Sequence, residues 1–409
     1  MTASVGCPTE PRVREGSPVE VFLTFLKLGL TAFGGPVAHV GYFREELVVR
    51  RRWVDDVAYT DLVALCQFLP GPASSQVGFS MGLIRAGYWG AVAAWTGFTL
   101  PSAAFMTAFA WGAGSLSGTA GTGLMHGLKL VAVAIVGQAV WGMARTLCPD
   151  PQRAAIGARV AALILWSGSS LSQIGAIAFG GVIGLWLCRG PGAQAAELLR
   201  VPVSRRAGGI ALCAFFLLLV GLPLLRAAAP VPGVALVEAF YHAGALVFGG
   251  GHVVLPLLRD AVVSPGWVSN GAFLAGYGAA QALPGPLFTF AAYLGAVSSP
   301  APHGLVGAAV ALVAIFLPGI LVVTGTLPFW DTLRSRRDAQ AMMQGINAAV
   351  VGLLAAALYS PVWTGAVVTA RDAGVAIAGF VLLTAWRTPP IVVVAAGAMT
   401  GIALSMVAS

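Results

Sequence analysis

Two helix-breaking phrases lie inside apolar sequence, and each occurs twice. Gly34-Gly35-Pro36 is followed by Pro70-Gly71-Pro72. Gly249-Gly250-Gly251 is followed by Pro284-Gly285-Pro286. Breaking a helix in hydrocarbon frees amide and carbonyl groups at a cost of several kcal/mol each, so such breaks persist where they line a site. A half-helix N-terminus presents free N–H groups and a partial positive charge, which together suit an anion. The plain alternative is a kink that lets helices pack closely. Two breaks at matched spacing in both halves favour a substrate site.

The polar residues beside these breaks recur with them. Arg44-Glu45 and Arg259-Asp260 sit at an offset of 215 residues. Each arginine reads as a guanidinium for a divalent oxyanion, with its acidic neighbour holding it when the site is empty, or else as an interfacial salt bridge. Gln67 and Gln281 each stand three residues before a Pro-Gly-Pro, where neutral amides suit oxyanion hydrogen bonding. His39 and His252 follow the glycine runs two positions out of register, as proton-linked groups or anion donors. Inside spans, ionisable residues are costly and therefore informative. Lys27, whose counterpart is His242, would compensate anion charge, or snorkel, or pair with Asp61 or Glu238. Asp61 would carry a coupling proton or hold a loop arginine. Arg50-Arg51-Arg52 has no second copy and reads as a headgroup contact or an electrostatic funnel.

The elements that must position these residues are transmembrane helices. The chain is 58% hydrophobic and 9% charged, against roughly 25% charged in soluble proteins; its mean hydropathy is +0.85. Apolar stretches of about 20 residues recur throughout, and the alternation of a transmembrane barrel is absent. The expected fold is an all-α polytopic transmembrane bundle of two homologous, inverted repeats with about 13 spans, some of them broken or re-entrant. Residues 1–17 read as a disordered cytoplasmic tail, 18–188 as the first repeat, 189–233 as a polar linker plus an extra helix, and 234–409 as the second repeat. The stretch 57–80 is interrupted at Pro70-Gly71-Pro72 and 268–297 at Pro284-Gly285-Pro286; 86–113 reads as an ordinary span, and 154–168 with 172–188 as a tight helical pair. Seven crossings before the second repeat bring it in from the opposite side, which makes the repeats inverted.

Loop arginines favour a cytoplasmic N-terminus and a periplasmic C-terminus. The cluster at 44–52 falls on the outer side. Either it faces outward and serves the substrate, or the 19–56 region folds back. The net charge of +8 fits loop arginines, and no basic face suited to nucleic acid is present. The five cysteines are scattered without a CxxC, so neither a disulfide framework nor a metal site is implied. No hydrolase, metalloprotease or P-loop motif occurs, so the reading is a non-enzymatic protein without cofactor, driven by ion gradients or membrane potential.

With TAFGGPVAHVGYFREELVVRRRW and DLVALCQFLPGPASSQ in the first half, and LVFGGGHVVLPLLRDAVV and FLAGYGAAQALPGPLFTFAAYLGA in the second, the chain resembles the chromate ion transporter family in its long, two-domain bacterial form. The resemblance covers about residues 19–407. It implies a multi-pass protein of the bacterial cytoplasmic membrane that exports chromate and confers chromate resistance, with sulfate as a candidate second anion and a homodimer as a candidate assembly. It also carries a site role to Gly34, Gly35, Pro36, His39, Arg44, Trp53, Asp61, Gln67, Pro70, Gly71 and Pro72, and in the second half to Gly249, Gly250, His252, Gln281, Pro284, Gly285 and Pro286. A sulfate or other oxyanion uptake permease and a passive anion channel are the competing readings.

Overall fold

The computed structural model describes residues 16–32, 35–115, 118–167, 170–188, 202–228, 231–248, 253–299, 301–330 and 336–408. Gly34, Gly249, Gly250, His252, nearly all of the expected N-terminal tail and much of the linker after 188 lie outside these residues. All regular structure among the described residues is helical.

Local signals set the helix boundaries. Helix α1 (Pro18–Thr31) starts at Ser17, whose hydroxyl accepts from the Glu20 N–H at 3.1 Å, with Pro18 in the first turn. It stops at Ala32 in extended conformation. Helix α2 (Gly35–Phe43) runs into a π-helical turn, Arg44–Arg50. Helix α3 (Asp56–Phe68) is capped by Asp55, which accepts from the Ala58 N–H at 2.7 Å. It ends at Leu69, which is extended as the residue before Pro70 must be. Helix α4 then runs from Ala73 to Ser115, with one interruption at Ala86 and Gly87. The stretch 57–80 is therefore two half-helices. The second of them ends at Ala86 and Gly87, where the backbone leaves helical geometry and turns to bring Gly82 against Gly90, so the 86–113 segment is a helix of its own.

Helices α5 (Thr119–Leu147), α6 (Pro151–Ser167) and α7 (Ser170–Leu187) complete the first half, and α8 (Arg205–Ala228) follows. The pattern then restarts with α9 (Pro232–Ala245), α10 (Val254–Val262) and α11 (Asn270–Ala280). After the second Pro-Gly-Pro, a 3-10 turn, Leu287–Thr289, leads into α12 (Phe290–Val297) and α13 (Gly304–Thr326). Helices α14 (Arg337–Ala357), α15 (Ala370–Thr384) and α16 (Pro390–Ala408) close the chain.

The two halves exchange their last hairpins. The α6–α7 pair packs mainly on α14 of the second half, and α15–α16 packs mainly on α5 of the first. The expected tight pairing of α6 with α7 is thus secondary to their shared seat on α14. Small residues permit this closeness. A Cβ on Gly127 would strike the Gly397 carbonyl, and one on Gly345 would strike the Gly180 carbonyl.

Four helices among the described residues are long and apolar enough to cross a bilayer by themselves: Gly121–Leu147, Arg205–Ala228, Gly304–Phe329 and Arg337–Ala366. The outer face of α8 exposes Ile210, Leu217 and Leu224, as a helix against lipid does. Of the two largest apolar cores, one gathers around Phe25, Phe43, Leu65 and Phe98 and the other around Phe240, Phe273, Phe290 and Phe316.

Candidate functional site

The two Pro-Gly-Pro breaks are clasped crosswise. The Gly71 N–H donates to the Val247 carbonyl at 2.7 Å, and the Gly285 N–H donates to the Ala32 carbonyl at 2.9 Å. Val247 follows the end of α9 and Ala32 follows the end of α1, so each break is tied to the opposite half's first helix. Both glycines have φ values that disfavour side chains, +117° at Gly71 and +91° at Gly285. The Gly71 and Gly285 amides are therefore not free for an anion, although freed amides at these breaks were expected to serve one. Pro72, Pro284 and Pro286 are buried with them, and Pro70 is half-buried.

The polar groups next to the first break sit one step further along. Helix α4 begins at Ala73, and its first turn carries Ser74, Ser75 and Gln76, each 5% exposed or less. The Ala73, Ser74 and Ser75 amides open the helix and have no intrahelical acceptor, whereas the Gln76 N–H donates to the Pro72 carbonyl at 3.0 Å. His39, 1% exposed, brings Nδ1 to 3.3 Å from the Ser74 hydroxyl and stacks edge-on against Phe98. The Gln76 amide donates to the Pro70 carbonyl at 2.8 Å and to the Gly319 carbonyl of α13 at 3.0 Å, joining the halves a second time. Buried with no hydrogen-bond partner from the protein are Ser75 Oγ and Gln76 Oε1, while the His39 ring also meets the Ala32 backbone. Orphaned buried polar atoms of this kind are uncommon and call for a ligand or another explanation. The second break approaches the same region, because a Cβ on Gly285 would lie 2.9 Å from Ser102 Oγ and 3.2 Å from the Phe98 carbonyl.

Ser74, Ser75 and Gln76 were not singled out from sequence. Their signal is three polar residues in a row, opening a half-helix inside an apolar stretch. The equivalent positions in the second half are Phe288, Thr289 and Phe290, so the polar cluster is one-sided. Gln67 and Gln281 also differ. Gln67 is exposed, whereas Gln281 is half-buried with its Nε2 unpartnered. The buried amide at the first break is Gln76.

The charged residues lie apart from this cluster. Arg44 Nε donates to Asp56 at 2.6 Å, both side chains more than half exposed. Its partner is thus Asp56 rather than the adjacent Glu45, which accepts from Arg50 at 3.1 Å. Each of the Arg44–Asp56 pair stabilises the other's charged form, raising the guanidinium and lowering the carboxyl. Lys27 Nζ donates to Glu46 at 2.9 Å, so its partner is neither Asp61 nor Glu238. Arg51 adds a second contact to Glu46 at 3.0 Å. Arg50 and Arg51 are thereby paired within the loop. Burial pushes the Glu46 carboxyl up, but hydrogen bonds from Lys27 and Arg51 outweigh it and hold the group below its usual value. Asp61 is buried on α3. Arg259 lies 3.7 Å from Asp260 on α10. Gly35 and Pro36 open α2, leading to His39. No cluster of metal-ligating side chains occurs among the described residues.

Interlocked apolar helices, repeated breaks and a buried uncharged polar cluster define a two-repeat helical membrane protein. The chain belongs to the chromate transporter family: the family model matches residues 19–185 and again 234–402. Membership makes it a transporter and not an enzyme. It is 30% identical over 403 residues to a chromate transport protein of Pseudomonas aeruginosa, covering 92% of this chain and 90% of the relative. A probable chromate transport protein of Synechococcus elongatus is 28% identical over 352 residues, 82% of each chain. A chromate transport protein of Cupriavidus metallidurans is 26% identical over 348 residues, 83% of this chain and 81% of the relative. No solved structure matches the chain.

Proposed function

We propose that this protein is a secondary transporter that exports chromate from the cytoplasm and so confers chromate resistance. The observation that carries the site reading is the buried cluster of His39, Ser74, Ser75 and Gln76 at the start of α4, beside a break clasped to the other half. The cluster's hydroxyls and the first-turn amides of α4 are hydrogen-bond donors suited to a tetrahedral dianion. Gly35, Pro36, Pro70, Gly71 and Pro72 shape this cradle, and Gln281, Pro284, Gly285 and Pro286 form its counterpart in the second half; Gly34, Gly249, Gly250 and His252 share the proposed substrate role on their sequence positions alone. Arg44 and Arg259 attract the anion to the mouths, Lys27 compensates anion charge, and Asp61 carries a coupling proton or holds a loop arginine. Sulfate, of the same shape and charge, competes.

The exchanged contacts Gly71–Val247 and Gly285–Ala32 support halves related by a two-fold axis, as inverted repeats are. Thirteen spans, with a cytoplasmic N-terminus and a periplasmic C-terminus in the inner membrane, complete the topology. The segments 18–188 and 234–409 act as the two repeats around the linker and extra helix at 189–233. With a negative interior, outward movement of a dianion is favoured by about 4.6 kcal/mol per 100 mV. Export then needs little beyond a selective, gated path. Chromate flux into liposomes carrying the purified protein tests this. Saturable flux, inhibited by sulfate and with chromium still hexavalent, is the expected result. Flux that never saturates identifies a channel, and its absence removes chromate as the substrate.

A further inference from the structure

A second polar centre lies away from this cluster. A cavity of about 260 Å3 opens between the end of α8, α9 and α10, lined by Arg226, Glu238, His242, Leu246 and Asp260 among others. Glu238 is the hub. Its carboxylate accepts from Arg226 at 2.7 Å and lies 3.5 Å from His242 Nδ1, which also stands 3.1 Å from the Glu238 carbonyl. Asp260 faces the same cavity with Arg259 3.7 Å away. Among the described residues Tyr241 is a further titratable neighbour, and its hydroxyl donates to the Phe215 carbonyl at 2.9 Å. Helix α13, which also packs on α9, carries no charged residue.

Among the described residues, Arg226 lies against Glu238 and Arg259 against Asp260, and the His242 imidazole stands beside the Glu238 carboxylate. Histidine is the side-chain type suited to proton exchange with a neighbouring carboxylate. The first half is built differently at the same place. Lys27 stands where His242 does, paired with Glu46 at 2.9 Å, while Leu23 and Ala261 occupy the positions equivalent to Glu238 and Glu46. The second half thus has a titratable centre where the first has an ion pair. Arg226 comes from α8, the helix without a counterpart in the first half.

The centre also has a mechanical connection to the break. The Leu246 N–H caps onto the His242 carbonyl at 3.1 Å, and the next residue, Val247, accepts the Gly71 amide. A change at His242 therefore acts within five residues of the clasp. We infer that the Glu238–His242–Asp260 cavity is a proton-binding site that couples proton movement to transport. This inference rests on the chromate reading above.

The test uses the full-length protein in liposomes with the membrane potential clamped at zero. For one coupled proton, a gradient of one pH unit shifts the chromate distribution about tenfold in the wild type. His242→Gln and Glu238→Gln should lose that shift while keeping chromate–chromate exchange, which needs no net proton movement. Proton uptake or release on adding chromate in weakly buffered detergent solution gives a second readout, present in the wild type and absent from His242→Gln. A full tenfold response in both variants overturns the inference, as does a wild type indifferent to the pH gradient. In either case chromate exchange persists and the transport reading stands, whereas a wild type without any chromate flux would remove both.

Discussion

Replacing Gly71 with alanine tests the clasp at its tightest point. Its φ of +117° is a region that L side chains rarely adopt, which costs about 1–3 kcal/mol. The added Cβ would lie 2.9 Å from Gly319 Cα and 3.0 Å from Gln76 Nε2. The first contact is backbone and cannot rotate away, so overpacking adds about 1–3 kcal/mol. The sum is roughly 2–6 kcal/mol, enough to open the Gly71–Val247 bond, which is itself worth about 1 kcal/mol. Gly285→Ala is milder, because its nearest neighbour is the rotatable Ser102 hydroxyl. Gly35→Ala has a φ of +78° but nothing within 4 Å, so strain alone applies, about 1–2 kcal/mol. Thermal unfolding of purified protein, followed by tryptophan fluorescence, should rank the losses Gly71 first, Gly285 second and Gly35 last. Chromate flux per inserted protein should follow the same order, with Gly71→Ala at least tenfold below Gly35→Ala. A Gly71→Ala variant that matches Gly35→Ala in both assays would refute the clasp as a tight junction between the halves.

The remaining predictions address the polar groups. Ser75→Ala removes an unpartnered hydroxyl, so its melting temperature should not fall; its chromate KM should rise about tenfold or more, for a hydrogen bond to a charged ligand worth about 1.5–3 kcal/mol. Arg44→Ala breaks a pair that is more than half exposed, and should cost no more than about 1 kcal/mol of stability while abolishing chromate resistance in a growth assay. Glu46 is lowered in the folded state, so its contribution is present above the ordinary glutamate pKa and lost as pH falls through the lowered value; the wild-type melting temperature should drop in that acid window, and Glu46→Gln should flatten this part of the profile. A reporter fused after Ser409 should read periplasmic, and a cytoplasmic signal would break the thirteen-span topology.

The sequence made the breaks legible because proline and glycine act locally. Pro70-Gly71-Pro72 and Pro284-Gly285-Pro286 interrupt helices in the structure as their chemistry requires. What the freed amides do was not legible, since their acceptors, Val247 and Ala32, are roughly half a chain away. The burial of Gln76 and the exposure of Gln67 were not legible for a related reason. Repetition between halves pointed to Gln67, but the helix phase of α3 turns it outward, and the buried amide is on the unrepeated side. Lys27 was recognised as needing an acidic partner. Which acid it met depended on how the π-helical turn at Arg44–Arg50 lies beside α1, and that placed Glu46 there. Periodicity gives helices but not their exchange between halves; the seats of α6–α7 on α14 and of α15–α16 on α5 depend on glycine contacts across the repeats.

Chromate accumulation by inside-out membrane vesicles, with the potential and the proton gradient collapsed separately, tests export most directly. The account predicts saturable entry into vesicles whose lumen is positive, favoured by about 4.6 kcal/mol per 100 mV for the dianion's own charge and sharply reduced when the potential is removed. Accumulation confined to right-side-out vesicles, or indifferent to potential, would contradict it.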